Sequence, residues 1–321
     1  MNSLDCRLEK SKYCILITEY LPSATIITSF EKTRALAKGT RWQRYVHAPA
    51  RYCTAMAQKM ILYPLTGVSK KVTANVFWGE TMNVGLPSGT DIYLTGGRSD
   101  DAELRLTLYL LLNLKAGDTF IDVGAHYGFY SRLAAWCGAT VHALEPSPLS
   151  FEMLEENVRD RPGIHIHPFM AGEREELVDF YSFEPQYSEY DAADTTQYER
   201  QAWFRKAEKQ MTKIRCTSLD HFTDENNILP EYIKIDTEGS ESVIVNGAMQ
   251  LLKVNSPVII LEYLSVEREN TAHINALKTL LGLGYRSHVI QENGTLETCP
   301  EPDVYLKRMN RDSENLVLKR I

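Results

Sequence analysis

From about residue 100 onward, short continuous apolar runs alternate with apolar residues at helical spacing. The runs predict strands at 119–123, 140–145, 164–168, 231–236 and 257–263. Between them, Phe129, Leu133 and Trp136 share one helical face, and Phe151, Leu154 and Val158 share another. Ser147 caps the second of these helices with Pro148 at its first position, and Pro162-Gly163 ends it. Ahead of the first strand, Leu104, Leu108, Leu111 and Leu112 predict a helix opened by an Asp100-x-x-Glu103 capping box and stopped near Gly117. After the fifth, Ile274, Leu277 and Leu281 mark a helix closed by Gly282 and Gly284. Leu177–Phe183 reads as an additional edge strand, and Tyr285–Ile290, Asp303–Lys307 and Leu316–Lys319 as an antiparallel finish. Val72–Tyr93 alternates as short strands with Gly89-Thr90 as a turn. The alternation of strand and helix predicts an α/β fold, a parallel sheet covered on both faces.

The first strand ends at Asp122 and runs into Gly124 and Gly128 before its helix begins. Glycines there admit close approach to the backbone, and a helix N-terminus offers unpaired N–H groups. The second strand delivers Glu145, whose carboxylate can accept hydrogen bonds from both hydroxyls of a ribose. A dinucleotide fingerprint has three glycines around a pyrophosphate. This turn is Asp-x-Gly-x-x-x-Gly, one glycine short, with an acid that repels phosphate and can receive an ammonium. Those features favour S-adenosylmethionine over a nicotinamide dinucleotide. The candidate cofactor residues are Asp122, Gly124, Ala125, His126, Gly128, Glu145, Pro146 and Ser147.

The stretch Phe120–Ser131, the strand end Ala143-Leu-Glu-Pro-Ser147 and above all Ile233-Lys-Ile-Asp-Thr-Glu-Gly-Ser-Glu241 resemble the FkbM-type methyltransferases. The resemblance runs from about Val72 to Tyr263 and more weakly to the C-terminus. It implies a seven-strand Rossmann-like class I methyltransferase sheet over residues 72–321, with residues 1–71 as an N-terminal appendage. It also implies S-adenosylmethionine-dependent O-methylation of a hydroxyl on a sugar, glycan or natural product. Two features depart from the family: His126 stands where Asn is more usual, and an aromatic insertion occupies 184–212.

Methyl transfer to an alcohol needs alignment of donor and acceptor, and a group to take the hydroxyl proton. Lys234, Asp236 and Glu238 alternate onto one face if the fourth strand runs through them, and Glu262 ends the fifth strand at the same edge. These four are the candidate catalytic residues: Asp236 orients or deprotonates the acceptor, Lys234 neutralises the acids, and Glu262 touches substrate. Glu241 suits the N-terminus of the following helix, a structural place. His126 is expected to hydrogen-bond at the cofactor rather than transfer a proton. No histidine or cysteine spacing forms a metal site, His165-x-His167 included.

Composition narrows the class further. The net charge of −7 argues against a broad nucleic-acid footprint. Six scattered cysteines without a Cys-x-x-Cys pair read as buried fillers in a reducing cytoplasm. Asp5, Glu9, Lys10 and Lys12 precede a short apolar run, Cys14–Thr18, interrupted by Glu19, so neither a secretory signal nor a transmembrane segment is expected. Arg51–Leu65 fits packing on the catalytic domain or a second subunit of a homo-oligomer, with a membrane surface as the alternative. The insertion's Tyr187, Tyr190, Tyr198, Trp203 and Phe204 suit a small-molecule or glycan acceptor, or equally a surface subdomain or dimer contact. The competing readings are an N-methyltransferase on a sugar amine, a non-catalytic nucleoside-binding module and a nicotinamide oxidoreductase.

Overall fold

The computed structural model describes residues 24–193, 195, 198, 203–268 and 270–320. The Cys14–Thr18 run, Cys6 and the charged residues around them lie outside the described residues. Five parallel strands form the centre: β3 (Thr119–Val123), β4 (Thr140–Leu144), β5 (Ile164–His167), β9 (Tyr232–Ile235) and β10 (Val258–Leu264). Antiparallel β13 (Ser313–Arg320) and β11 (Tyr285–Ile290) follow at the β10 side. Among the described residues the sheet holds eight strands rather than the expected seven, because β12 (Leu296–Thr298) pairs with β11 across a tight turn at Gly294, whose φ is +79°. Asn293-Gly294 is a hairpin signal of the kind that supports such a turn.

Strand order in this sheet is β12-β11-β13-β10-β9-β3-β4-β5. The chain runs outward from β3 to β5, then returns to β9 on the other side of β3. The carboxyl ends of β3 and β9 therefore flank the switch point at which open α/β sheets take up ligands. Phe120, Val141 and Ile260 join one buried cluster with the helices Asp101–Asn113 and Phe129–Trp136. Ile121, Ile233 and Leu261 join a second, with the helices Glu241–Asn246 and Thr271–Gly282. Neighbouring strand residues thus feed opposite cores, as the strand pleat requires.

Several local expectations change. Leu177–Phe183 lies in β7 (Glu176–Phe183), which is not an edge of the main sheet. It belongs to a separate three-stranded sheet with β6 (Met170–Gly172) and β8 (Lys209–Ser218). Asp303–Lys307 lies in a helix, Pro302–Met309, with Pro302 at its start and left-handed Asn310 at its end; Pro302 and Leu306 are buried one turn apart. In the helix Thr271–Gly282 the buried stripe is His273, Ala276, Leu277 and Leu280, so Leu281 falls outside it and is exposed. Gly89-Thr90 opens a short helix, Thr90–Thr95, after strands β1 (Lys70–Asn75) and β2 (Thr81–Leu86).

The boundary drawn at residue 71 falls inside β1, which pairs with β2 along its whole length. Ile26, Phe30 and Ala37 of the helix Ala24–Lys38 join the same buried cluster as Phe120 and Leu133. The described part of the N-terminal region therefore shares the core of the sheet.

Candidate active site

Local chemistry builds the turn after β3. Gly124 (φ +81°) and Gly128 (φ +85°) adopt the left-handed conformation that glycine tolerates best. A side chain at Gly124 would overlap the backbone carbonyl of Asp236, and one at Gly128 would meet Leu154. The two glycines thus let the turn pack closely against the backbone that follows β9 and against the helix Pro148–Val158. Gly128 and Ser147 are not among the residues lining the cavity.

That cavity, of about 320 Å3, opens at the carboxyl ends of β3, β4, β9 and β10. Asp122, Gly124, Ala125, His126, Glu145 and Pro146 line one part of it, and Lys234, Asp236, Glu238 and Glu262 also line it. Each oxygen of Glu145 accepts one backbone N–H, from His126 at 2.7 Å and from Ser147 at 2.8 Å. A carboxylate has about four lone-pair sites, so acceptor capacity remains for ribose hydroxyls. Burial raises Glu145 to about 8, with the two N–H bonds opposing that shift. The Ser147 hydroxyl does not cap its helix; it donates to Asp191 at 2.6 Å.

Asp122 is buried, accepts from the Ser131 hydroxyl at 2.6 Å, and keeps Oδ1 without a hydrogen bond. Lys234 lies 3.8 Å from that oxygen and 2.8 Å from Asp236 Oδ2, over the Tyr130 ring. Burial opposes the charge on Lys234, but Asp236 and Asp122 outweigh it and raise its pKa, so it is a fixed cation rather than a base. Burial likewise pushes Asp236 upward, yet Lys234 and a hydrogen bond from Glu262 hold it below the ordinary carboxylate range. Glu262 moves far the other way, through burial and the neighbouring Asp236 and Glu238 charges. The same surroundings thus drive the two acids in opposite directions, and Glu262 Oε2 is buried without a hydrogen-bond partner. Environments that push two acids apart set one up as base and the other as donor.

Glu238 arrives differently from expectation. β9 ends at Ile235, and Glu238 has φ +51°, so a left-handed turn rather than strand alternation brings it to the cavity. Non-glycine residues held in that region cost about 1–3 kcal/mol and cluster at functional sites. Burial lifts Glu238 to about 8, against the hydrogen bond it receives from Tyr198. Glu241 accepts from the backbone N–H groups of Thr237 and Gly239, a structural role at the head of its helix.

The insertion covers this edge. Ser188, Tyr190 and Asp191 line the cavity, and Ser188 Oγ lies 3.2 Å from the His126 ring. Burial pulls His126 down to about 3, so its ring is neutral, stacked on Tyr127. The aromatic residues mostly pack on one another: Trp203 stacks with Tyr187 and Tyr190, and Phe183 and Tyr198 are buried. They build the flap's own small core more than a stacking platform.

Sequence reasoning missed Glu103, Arg98 and Asp191. The capping-box pattern assigns Glu103 a reciprocal cap, but only Asp100 caps, accepting from Ala102 N. Glu103 instead lines the cavity, accepts from Tyr130 at 2.8 Å and Asn315 at 2.7 Å, and pairs with Arg98 at 3.5 Å. The shared core that brings the helix Asp101–Asn113 beside β13 is a tertiary fact, and no local pattern announces it. Among the described residues no group of three His, Cys, Asp or Glu side chains is arranged to hold a metal ion.

The profile of the methyltransferase FkbM domain matches residues 122–287, just over half of the chain and all four carboxyl strand ends described above. The chain belongs to the FkbM methyltransferase family. The methyl donor of that family is S-adenosylmethionine. No curated protein matches the sequence. Among solved structures, the FkbM methyltransferase of Methylobacillus flagellatus KT is 16% identical with a TM-score of 0.42, covering 72% of this chain and 52% of its own. This chain thus spans about half the length of that relative. Precorrin-6Y C5,15-methyltransferase of Geobacter metallireducens GS-15 is 13% identical with a TM-score of 0.38, over 68% of this chain and 87% of its own. Aeropyrum pernix fibrillarin, solved with natively bound S-adenosyl-L-methionine, is 13% identical with a TM-score of 0.37, over 67% and 74%.

The residues present suit the donor. Glu145 keeps acceptor capacity for a ribose, and the orphan Oδ1 of Asp122 gives an ammonium a partner. No phosphate-binding third glycine is present in the turn.

Proposed function

We propose that this FkbM-family chain transfers a methyl group from S-adenosylmethionine to a hydroxyl of a sugar, glycan or natural product. The observation that carries the reading is that Lys234, Asp236, Glu238 and Glu262 share one cavity with the cofactor residues, with Lys234 Nζ 2.8 Å from Asp236 Oδ2. When bound, the donor supplies an electrophilic methyl on a sulfonium. Asp122 and Glu145 hold its amino-acid and ribose ends, and Ala125, His126 and Pro146 form the wall between them. Asp236 accepts the acceptor's hydroxyl proton, and Lys234 keeps it anionic until then. Glu262 and Glu238 hydrogen-bond neighbouring hydroxyls of the acceptor, since a cavity rich in carboxyl groups matches a polyol. Ser188, Tyr190 and Asp191 of the insertion act as a flap that excludes water.

An amine acceptor is the less favoured alternative, because carboxylates around it would stabilise the protonated form that has no lone pair to react. The experiment is transfer of labelled methyl from S-adenosylmethionine into sugar-bearing metabolites of the native cell, followed by mapping of the labelled atom. Label on oxygen supports the reading; label on nitrogen, or none above a boiled control, overturns it.

A further inference from the structure

Between Glu31 and Glu80 the sequence contains nine Lys or Arg residues and no Asp or Glu, in a chain whose net charge is −7. Four of the nine are committed or sit away from the apolar surface: Arg34 and Lys38 reach Glu292, Lys71 reaches Glu156, and Lys32 lies on the first helix. Arg41, Arg44, Arg51, Lys59 and Lys70 have no acid within ion-pair reach among the described residues. Arg44 instead donates to the carbonyls of Leu36 and Ala37, and Arg51 lies over the Tyr93 ring.

The same stretch exposes its large apolar side chains. The helix Arg41–His47 buries none of its residues, and Trp42, 68% exposed, stacks on Tyr45 at the surface. The helix Pro49–Ala57 continues through a π-helical turn, Gln58–Leu62, into Tyr63–Thr66. Ala55, Gln58 and Tyr63 anchor this rod inward, leaving Met60 at 72%, Ile61 at 56% and Leu65 at 78% exposed. A large exposed apolar patch marks an interaction surface. Its occupant is constrained by charge: the partner must be anionic and must accept aliphatic side chains together with an indole and a phenol.

We infer that residues 41–70 form an interfacial docking surface for an anionic lipid bilayer. Basic residues draw it to acidic headgroups, Trp42 and Tyr45 sit at headgroup level, and Met60, Ile61 and Leu65 enter the acyl boundary. A second copy of the chain fits poorly, because a two-fold contact sets this basic patch against itself. A nucleic acid would use the basic residues but leave the aliphatic side chains facing water. The surface adjoins the flap over the cavity: Tyr63 hydroxyl contacts Glu184 at 3.3 Å and accepts from Gln186 N at 3.3 Å.

The test is co-sedimentation of the full chain with phosphatidylcholine vesicles, with and without phosphatidylserine. Binding is expected only to the phosphatidylserine vesicles and is expected to weaken with salt. Ile61→Ser/Leu65→Ser and Arg41→Glu/Lys59→Glu should each lower vesicle affinity by roughly tenfold or more. Because these side chains are exposed, thermal midpoint and S-adenosylmethionine affinity should stay at wild-type values, which separates this inference from the catalytic one. No binding to phosphatidylserine vesicles, or equal binding by the variants, overturns it. So does a concentration-dependent dimer that the same substitutions dissociate, since the surface would then be taken by a second copy.

Discussion

The phenol of Tyr198, in the insertion, donates a 2.6 Å hydrogen bond to Glu238 Oε2, in the turn that follows β9. That bond joins the flap to the left-handed turn after β9 and opposes the rise in Glu238's pKa. Tyr198→Phe removes the donor and leaves the ring. Turnover should fall and the acceptor KM should rise, together lowering kcat/KM by roughly 5–150-fold, as for loss of about 1–3 kcal/mol at a buried charged partner. Titration calorimetry should give S-adenosylmethionine affinity within about threefold of wild type. Equal losses in cofactor affinity and turnover would show that the Tyr198–Glu238 bond supports the cofactor rather than the acceptor.

Glu145 carries the opposite signature. Glu145→Ala removes a group that accepts from His126 N and Ser147 N and is proposed to hold the ribose. Cofactor affinity should drop by about 1–3 kcal/mol in calorimetry. Affinity equal to that of wild type would refute this placement.

Gly124→Ala tests the turn itself. The left-handed backbone alone costs a non-glycine residue about 1–3 kcal/mol, and overlap with the Asp236 carbonyl adds to it. Denaturant unfolding should show a loss of at least about 2 kcal/mol. A variant as stable as wild type would mean that β9 does not pack against this turn.

Much of this fold was legible because buried parallel strands are continuous apolar runs of few residues, as in Phe120-Ile121 and Val258-Ile259-Ile260-Leu261. The carboxyl ends of those strands then bring Asp122, Glu145, Asp236 and Glu262 to a common cavity. Three kinds of feature escaped. The helix Pro302–Met309 is short, and Val304-Tyr305-Leu306 has no helical period within three residues. Backbone conformation decided Glu238, whose φ of +51° no side-chain pattern encodes. Long-range packing decided Glu103, whose partners Tyr130 and Asn315 lie 27 and 212 residues away. The insertion, between β7 and β8, brings Ser188, Tyr190 and Asp191 to the cavity, while its aromatic residues turn inward to each other.

Stability should fall as pH rises through neutrality. Burial raises Glu145 from 4.5 to about 8, Glu238 from 4.5 to about 8, and Asp191 from 3.8 to about 7. Between the ordinary and the raised values the folded chain holds protons that the unfolded chain has lost. The contribution of these groups is complete below about 4, declines as pH climbs and is gone above about 8. Urea midpoints measured from pH 5 to pH 9 should therefore decrease, and Glu145→Gln should flatten the profile. A midpoint that rises over that interval would contradict the assigned burial.

The central claim is that Asp236, held ionised by Lys234 2.8 Å away, takes the acceptor's proton. Its most direct measurement is single-turnover transfer of labelled methyl by wild type and Asp236→Asn, with S-adenosylmethionine affinity measured on the same samples. Loss of a general base should lower the rate by about 10²–10⁴-fold, with cofactor affinity within a few-fold. Unchanged turnover in Asp236→Asn, or a rate loss accounted for by lost cofactor binding, would contradict it.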